Sequence, residues 1–384
     1  SYAMASVSGN CRVGGLVGFN RVEITSCYSA SDVTGDNRVG GLAGENWDKI
    51  SNCYATGTVV GNECIGGLVG QNAGGIRNCY AIGAVSGELY TGGLVGSDGS
   101  LFGVIGAYWD IETSGQTTSV QGTGKTTSQM QMAETYLGWN GCDDEGTWTI
   151  DEGRDYPRLS WEQQPGETIL ATNLVALLAG TGTEQDPYLV YTPEELNVIG
   201  LFPCEWGRVF RLMADIDLSG HSDNGSNAIG DYHTPFTGVF DGNDHTISHF
   251  SYSSLPRIGV GFFRCVDGPD ALITGVGMID PNIDAGSGHG VGALVGILLR
   301  GTISHCNIRG GHVLGDSHVG GLVGRSEGTI VECYGAADIT GTDFVGGLVG
   351  SSIGTLTECY SRCCLLYTSP SPRDRTRSRM PSSA

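Results

Sequence analysis

The sequence is short of lysine and has no long apolar run. Only Lys49 and Lys125 are lysine, and 20 basic residues stand against 41 acidic ones, so the formal net charge is −21. Such a charge repels a nucleic-acid backbone or an anionic membrane surface, which excludes both as electrostatic partners. The best apolar candidate, Ile169 to Gly180, is shorter than the roughly 20 residues of a membrane helix. We therefore expect no membrane span in this chain.

Motifs of metal and phosphate chemistry are also missing. The chain has no CxxC pair, which argues against a structural zinc site, and no HExxH motif of a zinc peptidase. The segment "GTGKTT" at Gly122 to Thr127 lacks the leading glycine of a phosphate-binding loop, because Ser119 stands at that position. We predict no catalytic residues and no cofactor, and we expect that the chain is not an enzyme.

Glycine, in contrast, is abundant and recurs at a fixed interval. The chain has 64 glycines, and many of them belong to the hexapeptide "VGGLVG" and its close variants. The hexapeptides begin at Val13, Val39, Ile65 and Thr91 and, after a long gap, at Val291, Val319 and Val345. The interval of about 26 residues in the first part of the chain indicates a repeat architecture in which each unit packs on the next.

A Cys-Tyr pair keeps the same interval. The pairs are Cys27-Tyr28, Cys53-Tyr54, Cys79-Tyr80, Cys333-Tyr334 and Cys359-Tyr360. On a strand, one residue of each pair faces the core and the other faces out. The burial preference of cysteine puts Tyr outside, whereas counting by twos from Ile24 or Ile76 puts Tyr inside. Tyr28, Tyr54, Tyr80, Tyr334 and Tyr360 are thus candidates for a surface ladder that binds a glycan or a protein, or for a structural stack.

Short β-favourable runs fill each repeat unit. Between Cys64 and Gly87 they are "CIGGLVG", "GIRNCYA" and "GAVSG". A helix is excluded because each glycine would cost about 1 kcal/mol relative to alanine. Three strands and three turns form one coil of a β-solenoid, which buries its inward side chains only by stacking on the next coil. The predicted fold is all-β, with tandem parallel β-helix domains, coils of about 26 residues and short capping helices.

The pattern "VGGLVG…NxGxIxNCYAxGxVxG", best seen from Ile65 to Gly87, resembles the GLUG motif. This motif occurs in bacterial surface and adhesin-like proteins and in the non-catalytic region of immunoglobulin A-cleaving metallopeptidases. The resemblance covers Ser1 to about Tyr108 and about Gly286 to Arg362. It implies an extracellular or cell-surface scaffold for adhesion or interaction, with a protein or glycan partner. The alternative is an accessory, substrate-binding region of a secreted peptidase or carbohydrate-active enzyme.

The repeats and the composition divide the chain into five predicted segments. Residues 1–107 are a first GLUG solenoid and 108–161 are its C-terminal cap, with a short helix near Ser128 to Thr135. Residues 162–179 are a linker, and 180–363 are a second solenoid that opens with a capping helix at about Pro193 to Leu201. Residues 364–384 closely resemble a translated sequencing-library adapter, and we expect the natural protein to continue beyond both ends.

One acidic stretch, "DIDLSGHSDNGS", resembles the start of a calcium-binding loop. Asp215, Asp217 and Asp223 occupy its first, third and ninth places, but Ser226 stands where such a loop has a glutamate. These three aspartates are weak candidates for a calcium site. The alternative is a turn with solvated acidic side chains.

Overall fold

A computed structural model describes residues 1–99, 104–139, 146–169, 174–220, 228–253, 258–362 and 364–367. Internal contacts divide the chain into two units. The first unit comprises Ser1–Arg211 and Ser226–Gly238. The second comprises Leu212–Gly225 and the chain from Val239 onward. In both, short strands pair in parallel with the strands of the next coil, so the predicted all-β solenoid is confirmed. The predicted segment boundaries at residues 107, 161, 179 and 363 remain predictions.

The first solenoid is built of regular coils. Val59 pairs with Val33 in one neighbouring coil and with Val85 in the other, and side chains that meet across coils are 26 residues apart. The strands that form on the glycine-rich hexapeptides are Cys11–Gly14, Val17–Asn20, Asn37–Gly40, Ala43–Asn46, Glu63–Gly66, Val69–Asn72, Leu89–Gly92 and Val95–Asp98. Those around the Cys-Tyr pairs are Tyr2–Ala3, Ile24–Thr25, Tyr28–Ser29, Ile50–Ser51, Tyr54–Ala55, Ile76–Ala81 and Val104–Asp110. The remaining ones are Val7–Ser8, Val33–Thr34, Val59–Val60 and Val85–Ser86.

Two adjacent glycines stand where the first strand of each hexapeptide of the first solenoid ends, because the backbone comes too close there for any side chain. A Cβ atom on Gly40 would lie 2.1 Å from the carbonyl oxygen of Ala43, and one on Gly41 would lie 2.2 Å from the carbonyl oxygen of Gly67 in the next coil. Only glycine fits such an approach. Leu42, directly after the pair, is fully buried and points into the core. The repeated glycines are therefore a requirement of coil stacking.

The cysteine of each Cys-Tyr pair points into the solenoid core. Cys27, Cys53 and Cys79 lie in one apolar cluster with the inward leucines and isoleucines of the coils. Their thiols are free, and that of Cys53 donates a hydrogen bond to the carbonyl oxygen of Ser51 at 3.1 Å. Burial raises the pKa of Cys53 well above its usual value. The burial preference of cysteine thus gives the correct orientation, and the count by twos from Ile24 is wrong.

A column of buried amides runs beside this core. Asn20 donates from Nδ2 to Oδ1 of Asn46 at 2.7 Å, and Asn46 donates in the same way to Asn72 at 2.8 Å. Asn72 in turn donates to Oε1 of Gln121 at 2.7 Å. All four side chains are buried. We call this column the asparagine ladder, and Gln121 is the residue at which it ends.

The rest of the first unit mixes short helices with short strands, and Trp148–Ile150 pairs antiparallel with Arg158–Leu159 and with Glu167–Thr168. Its helices are Ile111–Ser114, Thr127–Met130, Leu174–Leu177 and Pro193–Ile199, with 3₁₀ turns at Ala133–Tyr136, Ser160–Glu162 and Pro203–Glu205. Its strands are Thr123–Lys125, Trp148–Ile150, Arg158–Leu159, Glu167–Thr168, Tyr188–Val190 and Val209–Leu212. The helix predicted near Ser128 to Thr135 is thus present as two short pieces. The predicted capping box on Thr192 and Glu195 is confirmed, since each side chain bonds the other residue's backbone N–H.

The second unit shows the same parallel stacking with coils that shorten along the chain. Val239 pairs with Leu272, whereas Thr329 pairs with Thr355, so partners lie closer together in the sequence toward the end of the chain. The longer early coils are filled by phenylalanine, and the rings of Phe240 and Phe263 pack edge to face at 5.2 Å. Bulky rings thus fill the wider cross-section of these longer coils, whereas the regular coils are narrower.

Its strands follow one another with few interruptions. They are Ile216–Asp217, Val239–Asp241, Thr246–Ser248, Ser251–Ser253, Ile258–Val260, Phe263–Thr274, Gly277–Ile279, Asn282–Asp284, His289–Val291, Val295–Ser304, Asn307–Leu314, Ser317–Gly320, Val323–Ser326, Thr329–Val331, Tyr334–Gly341, Asp343–Gly346, Val349–Ser352, Thr355–Thr357, Tyr360–Ser361 and Cys364–Tyr367. The last of them pairs with Asp338–Gly341.

Residues 368–384 lie outside the described residues, and the assignment of 364–384 to an adapter remains a prediction. No helix in the described ranges is long and apolar enough to cross a membrane.

The asparagine ladder gives a first test. Asn46→Ala removes the acceptor of the buried Nδ2 of Asn20 and one of the two donors to Oδ1 of Asn72, so we expect the free energy of unfolding to fall by about 1 to 3 kcal/mol. Urea unfolding measures this change. Asn10→Ala, at an exposed position of the same solenoid, is the control and should have almost no effect. Equal effects of the two substitutions would contradict a stabilising role of the ladder.

Candidate interaction surface

The tyrosines of the first unit form a continuous stack on the outside of the solenoid core. Tyr2, Tyr28, Tyr54 and Tyr80 are Cα partners in successive coils. Their ring centroids are 5.3, 4.8 and 4.9 Å apart, and the rings lie within 9° of parallel. These spacings follow the separation of hydrogen-bonded strands, about 4.8 Å. We call the stack the tyrosine ladder.

Most of this ladder is covered by the segment after the first solenoid. Tyr54 and Tyr80 are fully buried in a second apolar cluster with Trp139, Trp148 and Leu159. The Trp148 ring lies 6.1 Å from that of Tyr54 and 6.0 Å from that of Tyr80. The prediction of a surface ladder is therefore wrong for these two residues. Their rings point out of the solenoid core and are buried in the second apolar cluster, because large aromatic rings gain most from being removed from water.

Each buried phenol has a hydrogen-bond partner in the covering segment. The hydroxyl of Tyr54 donates to the Glu162 carboxylate at 2.8 Å, and that of Tyr80 donates to the carbonyl oxygen of Pro157 at 2.6 Å. Burial raises the pKa of both tyrosines well above the usual value, and it raises that of Tyr108 to about 12. These groups are held as neutral donors, which suits them to packing and not to acid-base chemistry.

Asparagines beside the ladder also hold the covering segment. The indole N–H of Trp148 donates to Oδ1 of Asn52 at 3.1 Å, and Nδ2 of Asn78 donates to the carbonyl oxygen of Trp139 at 3.2 Å. Sequence reasoning missed both asparagines. The available signal was the repeated "NCY", in which Asn directly precedes the Cys-Tyr pair. This part of the predicted cap thus packs on the side of the coils through residues of the repeat itself.

The tyrosine ladder of the second unit is exposed. The rings of Tyr334 and Tyr360 are stacked at 5.3 Å and 8°, and Tyr360 is 56% exposed. Tyr334 is half-buried beside Arg309, whose Nε donates to the phenol oxygen at 2.7 Å. Tyr28 in the first unit is also half-buried, since Trp161 lies on it at 5.7 Å. Of the five predicted ladder residues, Tyr334 and Tyr360 thus form the pair that a partner can reach.

The calcium candidates Asp215 and Asp217 have hydrogen-bond partners within the protein. Asp215 accepts from the backbone N–H of Thr246 at 2.8 Å, which lowers its pKa, and it also contacts His245. Asp217 accepts from the backbone N–H of Ser219 and lies 2.7 Å from Nδ1 of His249, and these contacts lower its pKa to about 2.

Asp223, the third candidate, lies outside the described residues. Within the described ranges, no three His, Cys, Asp or Glu side chains converge as metal ligands would. The calcium site on these three aspartates, and its alternative of a turn with solvated acids, both remain predictions.

A cavity of about 750 Å³ lies within the segment that covers the ladder. Its lining includes Tyr136, Ile150 and the carboxylates of Asp151 and Glu152. Glu152 accepts from the backbone N–H of Ala133 at 3.1 Å, and Asp151 forms an ion pair with Arg154 at 3.9 Å. These two carboxylates therefore serve contacts within the covering segment.

Comparison with known proteins gives three kinds of match. The family profile described as "The GLUG motif" matches residues 35–60 and 61–86. Halomucin of Haloquadratum walsbyi is 33% identical over 159 residues, which are 40% of this chain and 2% of halomucin. A protein of Evansella cellulosilytica, provisionally named a Gly-rich membrane protein, is 37% identical over 122 residues, which are 31% of this chain and 14% of that protein. The chain thus spans a small fraction of both relatives.

One solved structure also matches. It comes from Bacteroides ovatus and is provisionally assigned as an immunoglobulin A1 protease. The match has a TM-score of 0.35 and 18% identity, and it covers 49% of this chain and 79% of that one.

The buried tyrosines predict an alkaline limit of stability. Unfolded tyrosines ionise near pH 10, whereas Tyr108 and Tyr156 have a pKa of about 12 in the folded chain and Tyr54 and Tyr80 are raised as well. The folded state then binds more protons above pH 10, so the stabilisation is complete below that pH and is lost as the pH rises through 12. Phenolate absorbance should rise in a cooperative step together with unfolding. Full ionisation near pH 10 with intact circular dichroism would contradict this.

Trp148 gives a test of the covering contact. Trp148→Ala removes a fully buried ring from Tyr54 and Tyr80 and should lower the free energy of unfolding by about 3 to 5 kcal/mol. Denaturant unfolding measures the loss. Trp161→Ala is the control, because that ring is 42% exposed and its loss should cost clearly less. An equal or smaller effect of Trp148→Ala would contradict its proposed contribution.

Proposed function

Because the chain is a GLUG-motif repeat protein, we propose that it is a non-catalytic scaffold of an extracellular or cell-surface protein that acts in adhesion or interaction. The observation that carries this proposal is the tyrosine ladder. The ladder of the first unit is covered by the same chain at Tyr54 and Tyr80, whereas the ladder of the second unit is open at Tyr334 and Tyr360. A stacked pair of rings on a sheet is already ordered, so the two tyrosines lose little conformational freedom when a partner covers them.

The chemistry of the partner follows from the covered ladder. There, indole rings lie on the phenols, and carboxylate and carbonyl oxygens accept from the phenol hydroxyls. A partner for Tyr334 and Tyr360 therefore presents a flat apolar face together with hydrogen-bond acceptors. An aromatic protein segment and the ring face of a glycan both have these properties. Arg309 adds a positive charge beside the phenol of Tyr334 and favours an acidic group nearby.

Several observations support an extracellular location. The chain is rich in glycine and has two lysines, a balance typical of turn-rich extracellular β proteins. Cys204, which lies outside the repeats, is disulfide-bonded, and disulfides persist mainly in oxidising compartments. The name of the Evansella relative refers to a membrane. These features together favour the cell surface over the cytoplasm.

Binding by the labelled full chain to arrays of immobilised extracellular glycans and surface proteins tests this function. The double variant Tyr334→Ala, Tyr360→Ala should weaken the strongest binding by about tenfold or more, since central aromatic residues carry most of the energy of an interface. Tyr191→Ala is the matched control, because this tyrosine is 46% exposed and lies outside the ladder. The control should bind like the unchanged chain.

Two results would overturn the proposal. The first is binding that persists unchanged in the double variant while circular dichroism shows an intact fold. The second is cleavage of arrayed proteins or glycans by the purified chain, which would make it an enzyme.

A further inference from the structure

The inward side chains of the first solenoid repeat from coil to coil, whereas the outward ones change. On the strand after the glycine pair, the outward residues in successive coils are Phe19, Glu45, Gln71 and Ser97. Two residues further on, the equivalent positions are Arg21, Trp47, Ala73 and Gly99. Packing of the coils does not require these differences, and variable outward positions are where repeat proteins carry specific binding.

The first two coils place charged and aromatic side chains together on this face. The cluster, which we call the arginine–indole patch, consists of Arg12, Phe19, Arg21, Arg38, Glu45 and Trp47. The guanidinium of Arg21 lies 4.9 Å from the ring centroid of Phe19 and 5.6 Å from that of Trp47. The two rings pack edge to face at 6.3 Å. Cation–π contacts thus hold the Arg21 side chain on two rings of adjacent coils.

Glu45 is the buried residue of the patch and contacts three of its other side chains. Its buried carboxylate accepts from Nε1 of Trp47 at 2.6 Å and from Nη1 of Arg38 at 3.2 Å, and it forms an ion pair with Arg12. Burial by itself would raise the pKa of Glu45, but these donors lower it, so the group stays charged. The hydrogen bond fixes one edge of the indole, and Trp47 still remains 53% exposed. The exposed ring is therefore ordered in advance of any ligand.

The charge of the patch is opposite to that of the chain. Three guanidinium groups stand against the single carboxylate of Glu45, in a protein of net charge −21. Arg21 is exposed, and no described carboxylate forms an ion pair with it. Lys49, only one coil away, is already paired with Glu23 at 2.9 Å. Arg21 therefore offers a fork of N–H donors to an acid from outside.

We propose that the arginine–indole patch binds a carboxylate-bearing sugar, such as a uronic acid residue of an acidic polysaccharide. Arg21 receives the carboxylate in a bidentate pair, and the exposed ring of Trp47 packs against the apolar face of the pyranose. A neutral sugar would leave the charge of Arg21 unmatched, whereas a small inorganic anion would leave the rings uncovered. A uronic acid matches both parts. This site is separate from the tyrosine ladder of the second unit.

Calorimetric titration of the full chain with a galacturonic acid hexamer tests the proposal. The methyl ester of the same hexamer is the ligand control, because it keeps the rings and loses the charges. We expect the free acid to bind at least about tenfold more tightly than the ester. Arg21→Ala and Trp47→Ala should each weaken binding of the acid by about tenfold, a loss typical of central interface residues. Lys49→Ala removes a nearby charge that is already paired and should leave binding unchanged.

Four results would overturn the proposal. They are the absence of binding, equal binding of the methyl ester, full binding by Arg21→Ala or Trp47→Ala, and equally tight binding of a hexaglutamate peptide, which would show that charge is recognised without a sugar. Circular dichroism of each variant separates a lost contact from a lost fold. The loss of affinity caused by Arg21→Ala should be the same in the Tyr334→Ala, Tyr360→Ala background, so this proposal and the function proposed for the ladder of the second unit succeed or fail independently.

Discussion

The parallel pairing of each strand with the strand one coil later is the constraint on which the rest of this protein depends. At a spacing of 26 residues, every side chain of the regular coils lies on its own equivalent. A residue that recurs in every coil is therefore acceptable only if it can stack on a copy of itself. Leucine and cysteine satisfy this by apolar contact, tyrosine by ring stacking, and asparagine by donating to the next amide along the column. Such a column needs a terminal partner, and in the first unit Gln121 provides it.

The sequence predicted those parts of the fold that depend on spacing along the chain. The interval of the hexapeptides indicated the coil and the parallel sheets, and Thr192 with Glu195 indicated a helix start. The cover over Tyr54 could not be predicted in this way, because Glu162, which binds its hydroxyl, lies 108 residues away. The asparagine ladder was visible in the spacing, but asparagine in a glycine-rich chain suggests a turn. Its role follows only once the coils are stacked.

The candidate sites show the same division between local and distant information. The aspartates at 215 and 217 have the spacing of a calcium loop, yet backbone N–H groups and histidines from the next coil occupy their carboxylates. The arginine–indole patch has no local signature at all. Arg21 and Trp47 come from adjacent coils, and neither belongs to the repeated motif. In a chain of high negative charge, composition argues against such a patch, and it is found only where two coils are placed side by side.

The two-coil origin of the patch has a consequence for how such proteins change over generations. Unequal recombination between tandem repeats adds or removes whole units, and a unit of 26 residues keeps the cysteine, asparagine and glycine positions in phase. The core is then unaltered, while each outward side chain acquires a new neighbour. Loss of the unit that carries Trp47 would erase the patch in one event, and duplication of the two adjacent units would double it. New binding surfaces thus arise in this architecture by exchange of genetic segments, without any substitution inside the core.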